Sequence, residues 1–358
     1  MKKINVMVTS VGGIVAQGII KSLKYHNKFS KDKEYFYNIM GTDIIYDSAG
    51  LYRVDKFSII GKPDSENFVQ PLIDLCIDNN IDIVFVGSDV ELNSFSINKN
   101  MIENKTGSKI ISNPSTVIEI CRNKYDTYKF LKQNNLNYVP SSLENNREEF
   151  VKEYGFPIIV KPCEGFGSKF LNVVNNKEEL SYAISSIKNY GWNPLIQKYL
   201  KDDFNEFTAG ITIDKSGQNI MSSIVLKKIL KHGQTYKALI DQFPEIQEIS
   251  ETTAKKIGGI GAINIQLRID LDDNKAKIIE INPRFSASSP MRAAAGVNEP
   301  DIVLRNILFD ESIKIDKYKS LLCLRYWNES YIDLQEYEKI KNSSDKIKKI
   351  NSFIIDYF

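Results

Sequence analysis

The sequence predicts a mixed chain, α/β at its start and α+β behind. Strand–helix–strand alternation over roughly the first hundred residues points to a parallel sheet with helices on its faces. After Trp192 the character changes to strands separated by turns, the mark of antiparallel sheets. A length of 358 residues implies two or three packed units.

Taken in order, residues 4–8 are mostly apolar, Gly12 and Gly13 make a turn, and residues 14–23 carry helical spacing. A second strand covers residues 37–41 and ends at Asp43. A helix runs over 68–77, with Asp64 or Ser65 as its start signal. The apolar run 81–86, bounded by Asn79-Asn80 and Gly87-Ser88-Asp89, is a buried strand. Asn113-Pro114 breaks the chain and marks a boundary. Beyond it, residues 116–134 have the pattern of one long helix, residues 158–161 of a strand and 178–190 of a helix. Residues 162–169 between them form a loop rich in small side chains. Strands follow at 195–199, 206–213, 221–230, 261–271 and 275–281, with hairpin turns at 214–217 and 272–274. Residues 300–310 are helical, and the lysine-rich tail holds a strand over 321–327.

Composition excludes several function classes. With 47 basic and 45 acidic residues the net charge is +2, too small for a nucleic-acid backbone partner. No apolar run approaches the roughly 18 residues of a membrane span. Four cysteines without a C-x-x-C pair and two histidines argue against disulfide frameworks, zinc ribbons and histidine-based metal centres. The opening Met1-Lys2-Lys3 imitates a signal peptide, but Asn5, Thr9, Ser10 and the two glycines interrupt the apolar stretch. A strand and turn fit better. The expected setting is cytoplasmic.

The most informative segment is GAINIQLRIDLDDNKAKIIEINPR, residues 261–284. As a hairpin it places Asn264, Gln266 and Arg268 on one face of the first strand, and Glu280 and Asn282 on the same surface of the second. Ile279 and Ile281 point the other way. Gln266, Glu280 and Asn282 thus form either a solvated polar face or an oxygen ligand set for a hard cation such as Mg²⁺. Arg284, just beyond the carboxylate, shifts the balance toward a phosphate site. Lys161 ends an apolar strand beside Gly165, Gly167 and Ser168, where backbone N–H groups and a point charge can meet an anion, although the P-loop pattern is absent. Lys124 lies within the apolar stripe of the long helix, either snorkelling to water or meeting a phosphate. The run Leu195 to Leu200 with Glu206 is a surface hairpin or an adenine and ribose contact.

With these segments in this order the chain resembles the ATP-grasp superfamily, and most of all carbamoyl-phosphate synthetase large-subunit halves and stand-alone carboxylate–amine ligases. The resemblance implies a Rossmann-like domain over residues 1–113, ATP-grasp subdomains over 114–190 and 191–315, and a C-terminal extension over 316–358. It implies that Gln266, Glu280 and Asn282 hold two Mg²⁺ ions, with Mn²⁺ as the alternative, and that Arg284 contacts the transferring phosphate. Lys161 matches the lysine on the α/β-phosphates, Lys124 the basic residue ahead of it, and Gly165-Phe166-Gly167-Ser168 the loop over the phosphates. Gln197, Lys198, Tyr199 and Leu200 fall at the adenine hinge, and Glu206 at the ribose-binding position. Two positions call for comment: Phe170 stands where family loops carry a last glycine, and Asn264 stands where the synthetase-like branch also has Asn.

The implied reaction is ADP-forming ligation of a small-molecule carboxylate to an amine through an acyl phosphate, by a protein of a typically homodimeric kind. Ser286, Ser288, Ser289 and Arg292 are candidates for binding the acceptor or carboxylate, and Lys227-Lys228 and Tyr236-Lys237 for lining the same cavity. Other readings are a carbamoyl- or carboxy-phosphate-forming, synthetase-like enzyme, a nucleotide-binding protein without ligase activity, and an oxidoreductase. The last rests on Gly12-Gly13 and Asp43, whose spacing departs from the dinucleotide fingerprint.

Overall fold

The computed structural model describes residues 1–31, 34–65, 68–165, 170–201, 205–231, 234–326, 328–350 and 352–354. The strands β1 (Lys2–Val8), β2 (Tyr35–Asp43), β3 (Lys56–Ile59), β4 (Ile83–Phe85) and β5 (Lys109–Ile111) form a parallel sheet in the order β3-β2-β1-β4-β5. Helices α1 (Ile14–Phe29), α2 (Val69–Asp78) and α3 (Asp89–Thr106) cover it. β4 is buried along its whole length, as an inner parallel strand should be. The strand order reverses beside β1, so its exit and that of β4 open a crevice at their carboxyl ends. Gly87 is required there, because a Cβ would lie 1.9 Å from the Thr9 carbonyl oxygen.

The pattern of one helix over 116–134 is realised as two, α4 (Ser115–Arg122) and α5 (Lys124–Gln133). Asn123 breaks them with extended backbone (φ −105°, ψ 115°), and its side-chain oxygen accepts from the N–H groups of Tyr125 and Asp126. A local Asn cap outcompetes continuous helix while the apolar stripe carries on across the break. A four-stranded antiparallel sheet follows, β6 (Ser141–Leu143), β7 (Ile158–Pro162), β8 (Asn172–Val174) and β9 (Pro194–Lys198), in the order β6-β9-β7-β8. Helices α6 (Arg147–Tyr154) and α7 (Lys177–Asn189) pack on it through Phe150, Leu180, Ile184 and Ile187.

The third sheet is antiparallel and six-stranded. It contains β10 (Glu206–Ile213), β11 (Ile220–Lys231), β12 (Gln234–Ile240), β13 (Gly261–Asp270), β14 (Lys275–Asn282) and β15 (Leu321–Leu324), ordered β14-β13-β10-β11-β12-β15. Helix α8 (Pro244–Lys256) and α4 cover part of one face. On the other, α9 (Ser289–Ala295) and α10 (Glu299–Phe309) share a core with α1 and β1, tying the first sheet to the third. β15 belongs to the segment read as a C-terminal extension and completes this sheet. Beyond it α11 (Leu334–Asn342) leads the tail back to the first sheet, where Lys348 N–H donates to the Phe57 carbonyl at 2.8 Å. Among the described residues no helix is long and apolar enough to cross a membrane.

Candidate active site

A cavity of about 630 Å³ lies between the four-stranded and six-stranded sheets, with Ile14 and Val15 of α1 and Asp89 of α3 reaching it from the first. At the end of β7, Lys161 is buried and its ammonium donates to Gln197 Oε1 at 2.8 Å, while Gln197 donates to Ser141 Oγ at 2.9 Å. Burial, then the nearby Lys124 charge, pulls the Lys161 pKa down to about 8, against the pull of Glu280. Lys124 is the first residue of α5, and its ammonium donates to the Gly165 carbonyl at 2.8 Å. The helix break, rather than a stripe on a long helix, is what aims it there. Gly165 has φ +112°, and Phe166, Gly167 and Ser168 lie outside the described residues. Phe170 takes φ +56°, a left-handed conformation that glycine adopts more readily, and packs on Tyr190 and Trp192.

Gln197, Lys198, Tyr199 and Leu200 line the cavity as β9 runs out. Lys198 is tied by Asp270 at 2.8 Å and Asp272 at 2.6 Å, and the Leu200 carbonyl accepts from Arg268 at 3.1 Å. Glu206 also faces the cavity but sits between Lys228 (2.8 Å) and Arg268 (2.6 Å). Its burial opposes ionisation, and those two cations outweigh it, keeping the carboxyl below the ordinary carboxylate range.

The hairpin β13–β14 brings its polar side chains together in register, Gln266 opposite Glu280 and Asn264 opposite Asn282. A bulge after Gln266 then pairs Leu267 with Ile278. That extra residue turns Ile279 into the cavity, correcting the strict alternation that placed it with Ile281 on the opposite face. Gln266 donates to Glu280 Oε2 at 2.9 Å, so its own oxygen is free to accept from Lys228 at 2.7 Å. Asn282 Oδ1 accepts from Arg284 at 3.0 Å, and Asn282 Nδ2 is buried without a partner. Among the described residues no cluster of three His, Cys, Asp or Glu side chains exists. The Gln266–Glu280–Asn282 trio is of another kind, with every ligating atom an oxygen and one carboxylate among three. Those oxygens fit a hard cation whose shell is completed by phosphate and water, and the buried Asn282 Nδ2, a donor without a partner, calls for an acceptor such as a phosphate oxygen.

Arg284 lines the cavity as expected, but most of its guanidinium is engaged: Nε and Nη2 meet Asp89 at 2.7 and 2.8 Å, and Nη1 donates to the Phe285 carbonyl. Burial would lower its pKa, and Asp89 raises it instead. Asn264 Oδ1 accepts from Thr208 at 2.8 Å and Arg292 at 2.7 Å, which turns its amide N–H₂ toward the cavity. Arg292 is fully buried and ion-paired with Glu299 at 2.9 Å, and Ser289 donates to the same Glu299. Ser289 and Arg292 therefore stand behind the wall, a correction to their reading as acceptor-binding residues. Ser286 and Ser288 do line it. Lys228 lines it too, while Lys227 alternates to the opposite face over the Phe207 ring. Thr235, rather than Tyr236 or Lys237, faces the cavity from β12. Asp43 is occupied structurally, accepting from the Gly12 N–H at 2.6 Å. The sequence reading gave no site role to Asp89, Thr208, Arg268 or Arg325. Thr208 and Arg268 follow from strand period two beside Glu206 and Gln266, whereas Asp89 lies 195 positions from Arg284 and carries no local signal.

Residues 121–288 match the ATP-grasp domain family. The chain carries an ATP-grasp domain over this stretch. It is 26% identical over 239 residues to the carbamoyl phosphate synthase large chain of Pseudothermotoga lettingae, covering 62% of this chain and 20% of that one. The chain thus spans about a fifth of the length of such synthetase chains. Among solved structures, N5-carboxyaminoimidazole synthetase from Staphylococcus aureus complexed with ADP superposes with a TM-score of 0.66 at 16% identity, over 98% of this chain and 92% of that one. The L-amino acid ligase from Bacillus licheniformis gives 0.63 at 15% identity, over 86% and 75%. At these identities the two likenesses speak to fold, and the fold is that of ATP-grasp enzymes.

Proposed function

We propose that the chain is an ADP-forming carboxylate–amine ligase acting through an acyl phosphate. The observation that carries this is charge placement in the cavity. Lys124 and Lys161 face it with no carboxylate partner among the described residues, in a cavity that the Gln266–Glu280–Asn282 oxygen trio also lines. Two cations without counter-ions in a partly desolvated cleft suit a polyphosphate. Gln197 to Leu200 then offer the strand-end donors and acceptors an adenine edge needs, and Glu206 the acceptor for ribose hydroxyls. Gln266, Glu280 and Asn282 would hold two Mg²⁺, or Mn²⁺, which supply charge neutralisation for the phosphoryl group. A substrate carboxylate oxygen attacks the γ-phosphorus, the β–γ bridging P–O bond breaks, and ADP leaves. The amine nitrogen then attacks the acyl carbon, the C–O bond to phosphate breaks, and inorganic phosphate leaves as the amine gives up a proton. The Asn264 N–H₂ and the remaining Arg284 N–H are the fixed donors for the negative oxygens that develop.

The same reading takes residues 1–113, 114–190 and 191–315 as a Rossmann-like domain and two ATP-grasp subdomains, with a homodimer and a cytoplasmic setting. The four free cysteines fit a reducing compartment. The test is ADP release with Mg²⁺-ATP against a panel of carboxylates, each with and without a panel of amines. A pair that stimulates ADP formation, with the amide found by mass spectrometry, supports the ligase. Release stimulated by bicarbonate without amide supports carboxy-phosphate chemistry instead, and absence of ATP binding overturns both.

A further inference from the structure

Most cations that line the cavity are already matched. Lys198 has Asp270 and Asp272, Lys228 and Arg268 share Glu206, and Arg284 has Asp89. Lys124 and Lys161 sit at the nucleotide end. Arg325 is left over, and nothing in the nucleotide reading uses it. It lies just past β15, the sheet edge opposite β14, held by its backbone N–H on the Tyr236 carbonyl at 3.1 Å and by Nη2 on the Ala287 carbonyl at 2.7 Å. Those contacts are neutral, and among the described residues no carboxylate pairs with it. Burial acts on its pKa, downward, and its charge also holds down that of Lys21 on α1. The Thr235 and Ser288 hydroxyls, 3.5 Å apart, and Ser286 line the wall beside it. A half-buried guanidinium with hydroxyls and no counter-ion is the chemistry of an oxyanion subsite.

We propose that Arg325, with Thr235 and Ser288, binds an anionic group of the substrate distinct from the carboxylate that is phosphorylated. The substrate is then a dianion, its second oxyanion a carboxylate or a phosphate. This rests on the ligase reading for which carboxylate reacts, but the binding of the anion does not. Calorimetry on the full chain with saturating MgADP tests it, using butyrate as the single anion, succinate as the dicarboxylate and 3-phosphonopropionate as the phosphate mimic. The expected result is that one dianion binds about tenfold or more tighter than butyrate, the worth of a charge-assisted hydrogen bond. Arg325→Gln should lose that preference, Arg325→Lys should keep part of it, and MgADP affinity should be unchanged in both, which also shows that the variants fold. Which dianion wins assigns the carboxylate or phosphate class. Equal binding of all three probes by the unaltered protein, or a preference that survives in Arg325→Gln, overturns the subsite. Failure of MgADP to bind overturns the nucleotide reading instead, and the same titrations without nucleotide then still judge Arg325.

Discussion

Lys161 shows what burial does to one residue. Its ammonium, held near a pKa of about 8 by desolvation and by Lys124, loses its proton two to three pH units before an ordinary lysine with its value of 10.5. Between those values the unfolded chain binds more protons than the folded one, so removing the buried charge adds stability as pH rises through the window. Nucleotide affinity should move the opposite way. As pH climbs above 8 the polyphosphate loses a cation, and MgATP affinity should fall by up to about tenfold per unit, a slope that Lys161→Gln abolishes. Calorimetric titrations from pH 7 to 10 check this. Glu280 is the only carboxylate of the oxygen trio, and it sits half-buried on a polar face that the core does not depend on. Glu280→Gln should keep the unfolding midpoint while lowering ATP-dependent turnover by about 100-fold or more, in the range that even outer-sphere changes reach. Full turnover in that variant would remove the metal assignment.

Among the elements, β10 and β13 carry the wall of the cavity, and on the same face, just beyond it, they are braced by a buried ionic cluster. Arg292 and Glu299 from α9 and α10 press against β10 where Gly210 leaves room: a Cβ there would lie 2.0 Å from Glu299 Oε1 and 2.1 Å from Arg292 Nη1. Because the two side chains are locked to each other, Arg292 also to Asn264 and Glu299 also to Ser289, neither can step aside cheaply. Gly210→Ala should cost about 1–3 kcal/mol, read as a lower urea midpoint, and should disturb Asn264 along with stability. The bulge at Gln266 is another device of this scale. Period two alone assigns Ile279 to the face opposite Glu280, and the extra residue reverses it, because hydrogen-bond pairing across β13–β14 rather than side-chain character sets the register.

For the whole molecule the decisive contact is Asp89 with Arg284, a two-point pair that joins the first turn of α3 to the exit of β14. It couples the position of the N-terminal sheet to the guanidinium nearest the oxygen trio. Asp89→Asn keeps one acceptor and removes the charge, so Arg284 should lose its orientation while the nucleotide end is untouched. Single-turnover phosphate release should slow by up to about 100-fold, with MgADP affinity unchanged. Equal loss of both would mean that Asp89 acts through general stability.

The sequence by itself determined the order of the sheets and many of the residues that line the cavity. Alternation placed Gln266, Glu280 and Asn282 on one face, and an apolar strand ending in Lys161 needed no partner to be recognised, because period and local composition are properties of adjacent residues. Short elements escaped it: β3, β5, β6 and β8 have three or four residues each, too few to show a period; the longer α3, α6, α8 and β12 escaped it too, the helices because few of their positions are apolar. Only the tertiary structure decided which charges are spent. Glu206 between Lys228 and Arg268 and Arg284 on Asp89 depend on pairings across tens to hundreds of residues, Arg292 meets Glu299 only 7 positions on but from the next helix, and Arg325 has no counter-ion among the described residues. Electrostatic neutralisation acts through space over a few ångströms, and sequence spacing carries no record of it.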